Sequence, residues 1–185
     1  MTRLWLVRHG PTHAKAMVGH TDLPADLSDT AALSRLSAAL PHAPVVSSDL
    51  IRAVDTATAI AGDRTRLPHE RALREFDYGD WDNRSFDAID SPALRLYFDN
   101  PGDRRAPGGE SWNDVAARVR AALDRLAGGG DLIVVAHMGV ILTQWARATG
   151  QAPHAALAQR IDPLSLTRID LTADGPVPVF ANRRP

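Results

Sequence analysis

Residues 131–139, DLIVVAHMG, contain the most strand-like run of the chain, and a histidine follows that run directly. A short apolar run rich in β-branched side chains predicts a strand buried on both faces, as in a parallel sheet. The histidine of this stretch is His137. Residues 4–10, LWLVRHG, show the same arrangement, since their apolar run is followed closely by His9. Ligands of open α/β sheets bind at the carboxyl ends of the strands, so we expect both histidines near one binding site.

Helical patterns lie between these strands and after them. Apolar residues recur at helical spacing in four main segments, which begin after a Ser28 cap, at Ser48 or Asp49, after a Ser111 cap and at Val140. A shorter helix is expected at 91–98, and further strands at 44–47, 164–171 and 177–181. Strands that alternate with helices predict an α/β sandwich with a largely parallel central sheet.

Length and composition favour one domain and narrow the classes of function. The chain has 185 residues, 44% of them hydrophobic, without a repeat or a linker, so residues 1–185 are interpreted as a single domain. A net charge of -1 gives no basic field to recruit nucleic acid or an anionic membrane. The absence of cysteine excludes disulfides, thiolate zinc sites and cysteine nucleophiles. No apolar run approaches the roughly 18 residues of a membrane span, and we expect a cytoplasmic protein.

Three strand-to-helix junctions carry the candidate chemistry. Arg8 and His9 follow one strand, His137 follows another, and Arg52 lies in the first turn of a helix, whose positive end favours an anion. Arginine presents a fork of donors that matches phosphate oxygens. A histidine beside two guanidiniums tends to stay neutral, and a neutral imidazole is a nucleophile. The residues therefore predict that His9 attacks a phosphoryl group held by the two arginines. His137 would help to neutralise the equatorial oxygens in the transition state.

A phosphate ester also needs a proton for its leaving alkoxide. The candidate general acid is Glu75, because it lies among apolar residues in ALREFDYGDW, residues 72–81. The chain has no HxH, HExxH or DxH cluster, so we expect a reaction that uses neither a metal nor another cofactor. Glu110 and Ser111 are interpreted as the start of a helix, and Tyr78 as core or pocket wall.

Five motifs resemble, in order, the signatures of the histidine phosphatase superfamily, the phosphoglycerate-mutase-like proteins. They are LVRHGPT, SSDLIRAVDTA, LREFDYGDW, PGGESW and VVAHMGVI, and the resemblance runs from residue 4 to about 145. It implies a three-layer α/β/α sandwich and a metal-free phosphate pocket formed by Arg8, His9, Arg52 and His137. It also implies that His9 becomes phosphorylated and that Glu75 donates the proton. Residues 76–110 would cover the pocket and select the substrate.

The resemblance does not identify the substrate, and it does not fix the roles of Lys15 and His20. Lys15 stands where the family often has asparagine, and it is predicted to reach the phosphate; His20 is predicted to contact the substrate or to support the site. The leading interpretation is a phosphatase of a small-molecule phosphate ester, similar to the small α-ribazole-phosphate phosphatases. The alternatives are a phosphoglycerate mutase, although such mutases are generally longer, and a non-catalytic phosphate-binding protein. The oligomeric state stays open.

Overall fold

Strands and helices alternate along the chain in the structure, a computed structural model that describes residues 1–185. The strands are β1 (Thr2–Arg8), β2 (Ala16–Met17), β3 (Val45–Ser47), β4 (Arg84–Ser85), β5 (Gly130–Ala136), β6 (Leu166–Thr172) and β7 (Gly175–Arg183). The α-helices are α1 (Thr30–Ala39), α2 (Ile51–Ala61), α3 (Phe86–Ile89), α4 (Pro92–Asp99), α5 (Trp112–Leu126), α6 (Met138–Thr149) and α7 (Pro153–Ala156). None of these helices has the length and apolar character that crossing a membrane requires.

Four of the five strands in the central sheet run in the same direction. The strand order is β3-β5-β1-β6-β7, with β3, β5 and β1 parallel, β6 antiparallel to β1, and β7 antiparallel to β6. The predicted α/β fold with a mostly parallel sheet is confirmed. Arg8 pairs in register with Ala136, so His9 and His137 leave neighbouring strands at the same level. The backbone N–H of His9 donates to the Ala136 carbonyl over 3.1 Å across this edge.

Alternate side chains of the central strands serve two separate cores, because successive residues of a strand point to opposite faces. One core lies between the sheet and helices α5 and α6 and includes Leu4, Leu6, Leu132, Val134, Val119 and Ile141. The other lies between the sheet and helices α1 and α2 and includes Val7, Ile133, Val135, Leu36 and Ile60. The two cores give the three layers, helix, sheet and helix, that the family resemblance implies.

Two predicted helix starts differ from the structure. Helix α1 begins at Thr30, and its cap is Asp29, whose carboxylate accepts a first-turn N–H over 2.9 Å; the predicted cap, Ser28, is wrong. Helix α2 begins at Ile51 with no side-chain cap. Ser48 and Asp49 do not cap it, since their side chains contact His137 and Arg74 respectively. At this junction the polar side chains support the pocket instead of the helix.

Candidate active site

His9 is the first residue beyond strand β1, and it is buried. Its Nδ1 atom lies 2.6 Å from the Gly10 carbonyl oxygen, which can only accept, so Nδ1 carries the proton and donates it. The Nε2 atom of the neutral ring therefore keeps its lone pair. The pKa of His9 is lowered from 6.5 to about 3. Burial of the ring is the main cause, and the charge of Arg52 is the second. The ring is thus neutral at ordinary pH, the form that a nucleophile requires.

Two arginines border the same pocket as His9. Arg52 is almost fully buried, and its guanidinium donates to two backbone carbonyls of the loop 19–21 over 2.9 and 2.6 Å. Arg8 donates to the Ile161 carbonyl over 2.6 Å, and its Nε is buried with no partner in the protein. Burial lowers the pKa of both guanidiniums, yet arginine stays charged in proteins. The carbonyls fix the two cations and leave further N–H groups for an anion.

His137 is the first residue beyond strand β5 and is fully buried. The centres of its ring and the His9 ring are 5.0 Å apart. Its Nε2 lies 2.7 Å from the Ser48 hydroxyl oxygen, while its Nδ1 has no partner in the protein. Burial, with His9 and Arg52 nearby, holds the pKa of His137 well below 6.5. The ring is therefore a neutral hydrogen-bonding group beside the nucleophile, and not a third positive charge.

Glu75 lines the same pocket, and both of its carboxylate oxygens accept backbone hydrogen bonds. Oε1 accepts from the Phe76 N–H over 3.0 Å, and Oε2 accepts from the Gly139 N–H over 3.1 Å. A side chain at position 139 would overlap the Glu75 carboxylate and the Phe76 ring. A glycine in the first turn of α6 is therefore needed to hold the carboxyl group next to the phosphate pocket.

The loop that carries Glu75 is fixed from behind by Arg118 of α5. The guanidinium donates to the carbonyls of three residues of this loop, Glu75 included, at 2.7 to 2.8 Å. It also forms a two-armed ion pair with Glu110, at 2.7 and 2.9 Å. The sequence analysis missed Arg118 and interpreted Glu110 only as helix-start structure. The available signal was the spacing, since Arg118 lies three residues after Val115 on the flank of the buried helix stripe.

The structure brings all five predicted catalytic side chains together. Four of them line one pocket, namely Arg8, His9, Arg52 and Glu75, and the His137 ring packs behind His9. Across the whole chain, no group of three or more histidine, aspartate or glutamate side chains is placed to hold a metal ion.

Two other predicted contacts lie outside this pocket. Lys15 is exposed and forms no hydrogen bond, although Ala14 and Ala16 on either side of it line the pocket. The His20 ring lies behind the site, where its Nε2 is 3.0 Å from the Glu75 carbonyl oxygen. His20 therefore supports the Glu75 loop in this structure, and the phosphate contact of Lys15 stays a prediction.

Known proteins resemble the chain over most of its length. The model of the histidine phosphatase superfamily (branch 1) matches residues 4–184. A glucosyl-3-phosphoglycerate phosphatase of Mycolicibacterium vanbaalenii is 36% identical over an alignment of 170 positions that covers 80% of this chain and 74% of that protein. An adenosylcobalamin/alpha-ribazole phosphatase of Salmonella typhimurium is 30% identical over an alignment of 152 positions that covers 75% of each chain.

A solved structure of a phosphatase also resembles the chain over nearly its whole length. The native structure of a mycobacterial glucosyl-3-phosphoglycerate phosphatase superposes with a TM-score of 0.85 at 27% identity, covering 99% of both chains. The chain therefore belongs to the histidine phosphatase superfamily and is one of its phosphatases.

Proposed function

We propose that the protein hydrolyses a small-molecule phosphate monoester in two steps, through a phosphohistidine on His9. The observation that carries the proposal is the state of the His9 ring: Nδ1 donates to the Gly10 carbonyl, and the buried ring is neutral. The lone pair of Nε2 is then free to form a bond to phosphorus as the bond from phosphorus to the ester oxygen breaks.

Arg8 and Arg52 supply the fixed positive charge for this step. Their guanidiniums line the pocket beside His9 and would bind the phosphoryl oxygens, over which the negative charge spreads in the transition state. His137 would add a hydrogen bond from a neutral ring. Because backbone carbonyls already hold both arginines, little reorganisation is needed when the phosphate binds.

Glu75 would serve both half-reactions. In the first, its carboxyl proton passes to the leaving alkoxide, so that the alcohol leaves neutral. In the second, the carboxylate accepts a proton from the water that attacks phosphorus, and the bond between phosphorus and His9 Nε2 breaks. Inorganic phosphate leaves, and His9 returns to its neutral form.

The named relatives favour hydrolysis over the two alternatives. Both are phosphatases, and neither name denotes a mutase. A non-catalytic binding protein would be expected to lack at least one of the five predicted catalytic residues, whereas all five are present. With a net charge of -1, we further propose a free cytoplasmic substrate and not a nucleic acid or a membrane lipid.

The test is phosphate release from nitrophenyl phosphate and from an alkyl phosphate, with and without EDTA. We expect inorganic phosphate in water from both esters, unchanged by the chelator, because every proposed step uses side chains of the chain. A loss of turnover in EDTA that Mg²⁺ or Zn²⁺ restores would overturn the metal-free mechanism. Transfer to the second hydroxyl of phosphoglycerate, without release of phosphate, would identify a mutase.

A further inference from the structure

The proposed mechanism uses four of the residues that line the pocket: Arg8, His9, Arg52 and Glu75. The remaining lining residues, which we call the apolar wall, are uncharged and mostly apolar. Three large side chains contribute to it: Tyr78, Phe86 and Met138. The rest of this wall consists of smaller or flexible residues, Thr12, Ala14, Ala16, Met17 and Val18. Phe86 is 55% exposed and Met138 38% exposed, although large apolar side chains usually lie inside a protein. These two exposed side chains offer an apolar contact surface to a ligand in the pocket.

A small β-ribbon positions much of this wall. Strand β2 carries Ala16 and Met17 and pairs antiparallel with β4, and Phe86 comes directly after β4. The backbone N–H of Asn83 also donates to the Met17 carbonyl over 2.7 Å. The ribbon therefore fixes Phe86 next to Ala16 in this wall, so its exposure is not the result of an unanchored loop.

The apolar surface continues beyond the pocket. Tyr78 and Met138 also line a second cleft, whose remaining walls include Phe76, Tyr97, Phe98, Trp112 and Leu157. None of the residues that line this second cleft is charged. An alkyl chain or an aromatic ring is the kind of group that such a surface binds.

Charged groups in the pocket are few, and each has a role already. The charged side chains of its lining are Arg8, Arg52 and Glu75, which the proposed mechanism assigns to the phosphoryl group and the leaving oxygen. A carboxylate on the organic part of a substrate would find no further cation in the lining. Lys15, the only lysine of the chain, is exposed and does not line the pocket. The Tyr78 hydroxyl makes no hydrogen bond in the protein, so one neutral polar contact is available.

We propose that the alcohol part of the substrate is an uncharged apolar group, alkyl or aryl, held between Tyr78, Phe86 and Met138. This inference rests on the proposed function, since it places the ester oxygen at Glu75 and the phosphate at the two arginines. It names a substrate class, phosphate monoesters of apolar alcohols, and it predicts discrimination against phosphorylated carboxylic acids.

The test compares esters of matched reactivity. Hexyl phosphate and the same ester with a terminal carboxylate have alcohols of nearly equal acidity, so a difference in kcat/KM reports binding of the chain end and not departure of the leaving group. Ethyl phosphate gives the effect of chain length. We expect kcat/KM to be at least about tenfold higher for hexyl phosphate than for either of the other two, as is typical when methylene groups enter an apolar pocket.

Phe86→Ala is the diagnostic variant, because Phe86 is half exposed and its removal leaves the core intact. It should lower the ratio of kcat/KM between hexyl and ethyl phosphate by about tenfold. Val179→Ala removes an equally exposed apolar side chain on β7, outside the pocket, and should leave the ratio unchanged. The inference would be overturned if the phosphate ester with the terminal carboxylate is hydrolysed with the same kcat/KM as hexyl phosphate and if Lys15→Ala abolishes that hydrolysis. A ratio that Phe86→Ala does not change would also overturn it.

The proposed function fails in a different way from this inference. If no ester is hydrolysed and no phosphohistidine forms, the mechanism is wrong and the substrate class is wrong with it. If all three esters are hydrolysed at similar kcat/KM and the phosphohistidine forms, the mechanism holds and the apolar substrate class is wrong.

Discussion

His9 and His137 lie side by side at the sheet edge, but their ring nitrogens have different partners. The Nδ1 of His9 donates to a backbone carbonyl, which leaves Nε2 as the nucleophile. In His137, Nε2 contacts the Ser48 hydroxyl instead. The sequence analysis could predict that both rings meet the phosphate, because both follow a strand. It could not predict these partners, since a backbone carbonyl leaves no trace in the sequence and Ser48 was interpreted as part of a helix start.

Glu75 offers the most direct residue-scale test of the proton transfer. Glu75→Gln should slow hydrolysis of alkyl phosphates by about 10²–10⁴-fold, the usual contribution of a general acid, and slow nitrophenyl phosphate far less. The reason is that nitrophenolate is a good leaving group and hardly needs a proton. The measurement is kcat/KM for both esters, because kcat/KM reports the departure of the alcohol and not the later water attack, in which Glu75 also acts.

The control for this comparison is Asp80→Asn, an exposed carboxylate of the same segment that does not line the pocket. It should change neither rate. Equal losses on both esters in Glu75→Gln would show that Glu75 acts in binding or structure, or that another group donates the proton.

At the scale of elements, the site depends on helix α5 as well as on the strands. Arg118 of α5 holds three carbonyls of the Glu75 loop, and Glu110 fixes the guanidinium. Sequence reasoning found the helix, its Ser111 cap and its apolar stripe, all of which the structure contains. It did not find Arg118: the spacing places this arginine on the flank of the apolar stripe, but it does not say which loop lies against that flank.

Arg118→Lys should impair the position of the general acid. Lysine keeps the charge but cannot hold three carbonyls and a carboxylate with one planar group. We expect kcat/KM for alkyl phosphates to fall by up to about 10²-fold, the cost typical of a misplaced catalytic group. Nitrophenyl phosphate should be affected much less, which a general loss of structure would not produce.

Arg120→Lys is the matched control, since Arg120 lies on the same helix with an exposed side chain paired to Asp124 at 3.6 Å. It should leave both esters unaffected. If Arg118→Lys slows both esters equally, Arg118 serves stability and does not position Glu75.

At the scale of the whole molecule, the sequence predicted the layers better than the edges of the pocket. Buried strands such as β5 carry their signal locally, in a run of apolar residues, and their alternating faces then produce the two cores. The two-residue strands β2 and β4 are too short for any periodicity, so the ribbon that holds Phe86 could not be predicted. The same holds for the solvent-facing position of Lys15, which depends on how that ribbon folds.

The buried neutral histidines should also affect stability as the pH changes. His9 titrates near 6.5 in the unfolded chain and near 3 in the folded one, so between these values the unfolded chain binds a proton that the folded chain excludes. The free energy of unfolding should therefore fall as the pH is lowered from 6.5 towards 3, and His137 acts in the same direction.

Urea unfolding at several pH values measures this effect. His9→Asn should reduce the slope of the unfolding free energy against pH by up to about 1.4 kcal/mol per pH unit within that window. His42→Asn, at a histidine whose side chain is 75% exposed, is the control substitution. An unchanged slope in His9→Asn would show that the folded protein does not exclude the proton from His9, and it would contradict the lowered pKa of the buried ring.

The central claim, that His9 carries the phosphoryl group, is tested most directly by trapping the intermediate. Enzyme quenched during turnover of a labelled ester should carry one acid-labile, base-stable phosphate, and peptide mapping should place it on His9. His9→Asn should remove both the label and the turnover. Label on His137 would contradict the account, and so would single-step hydrolysis with inversion at a chiral phosphate, because transfer through an enzyme intermediate requires two inversions and net retention.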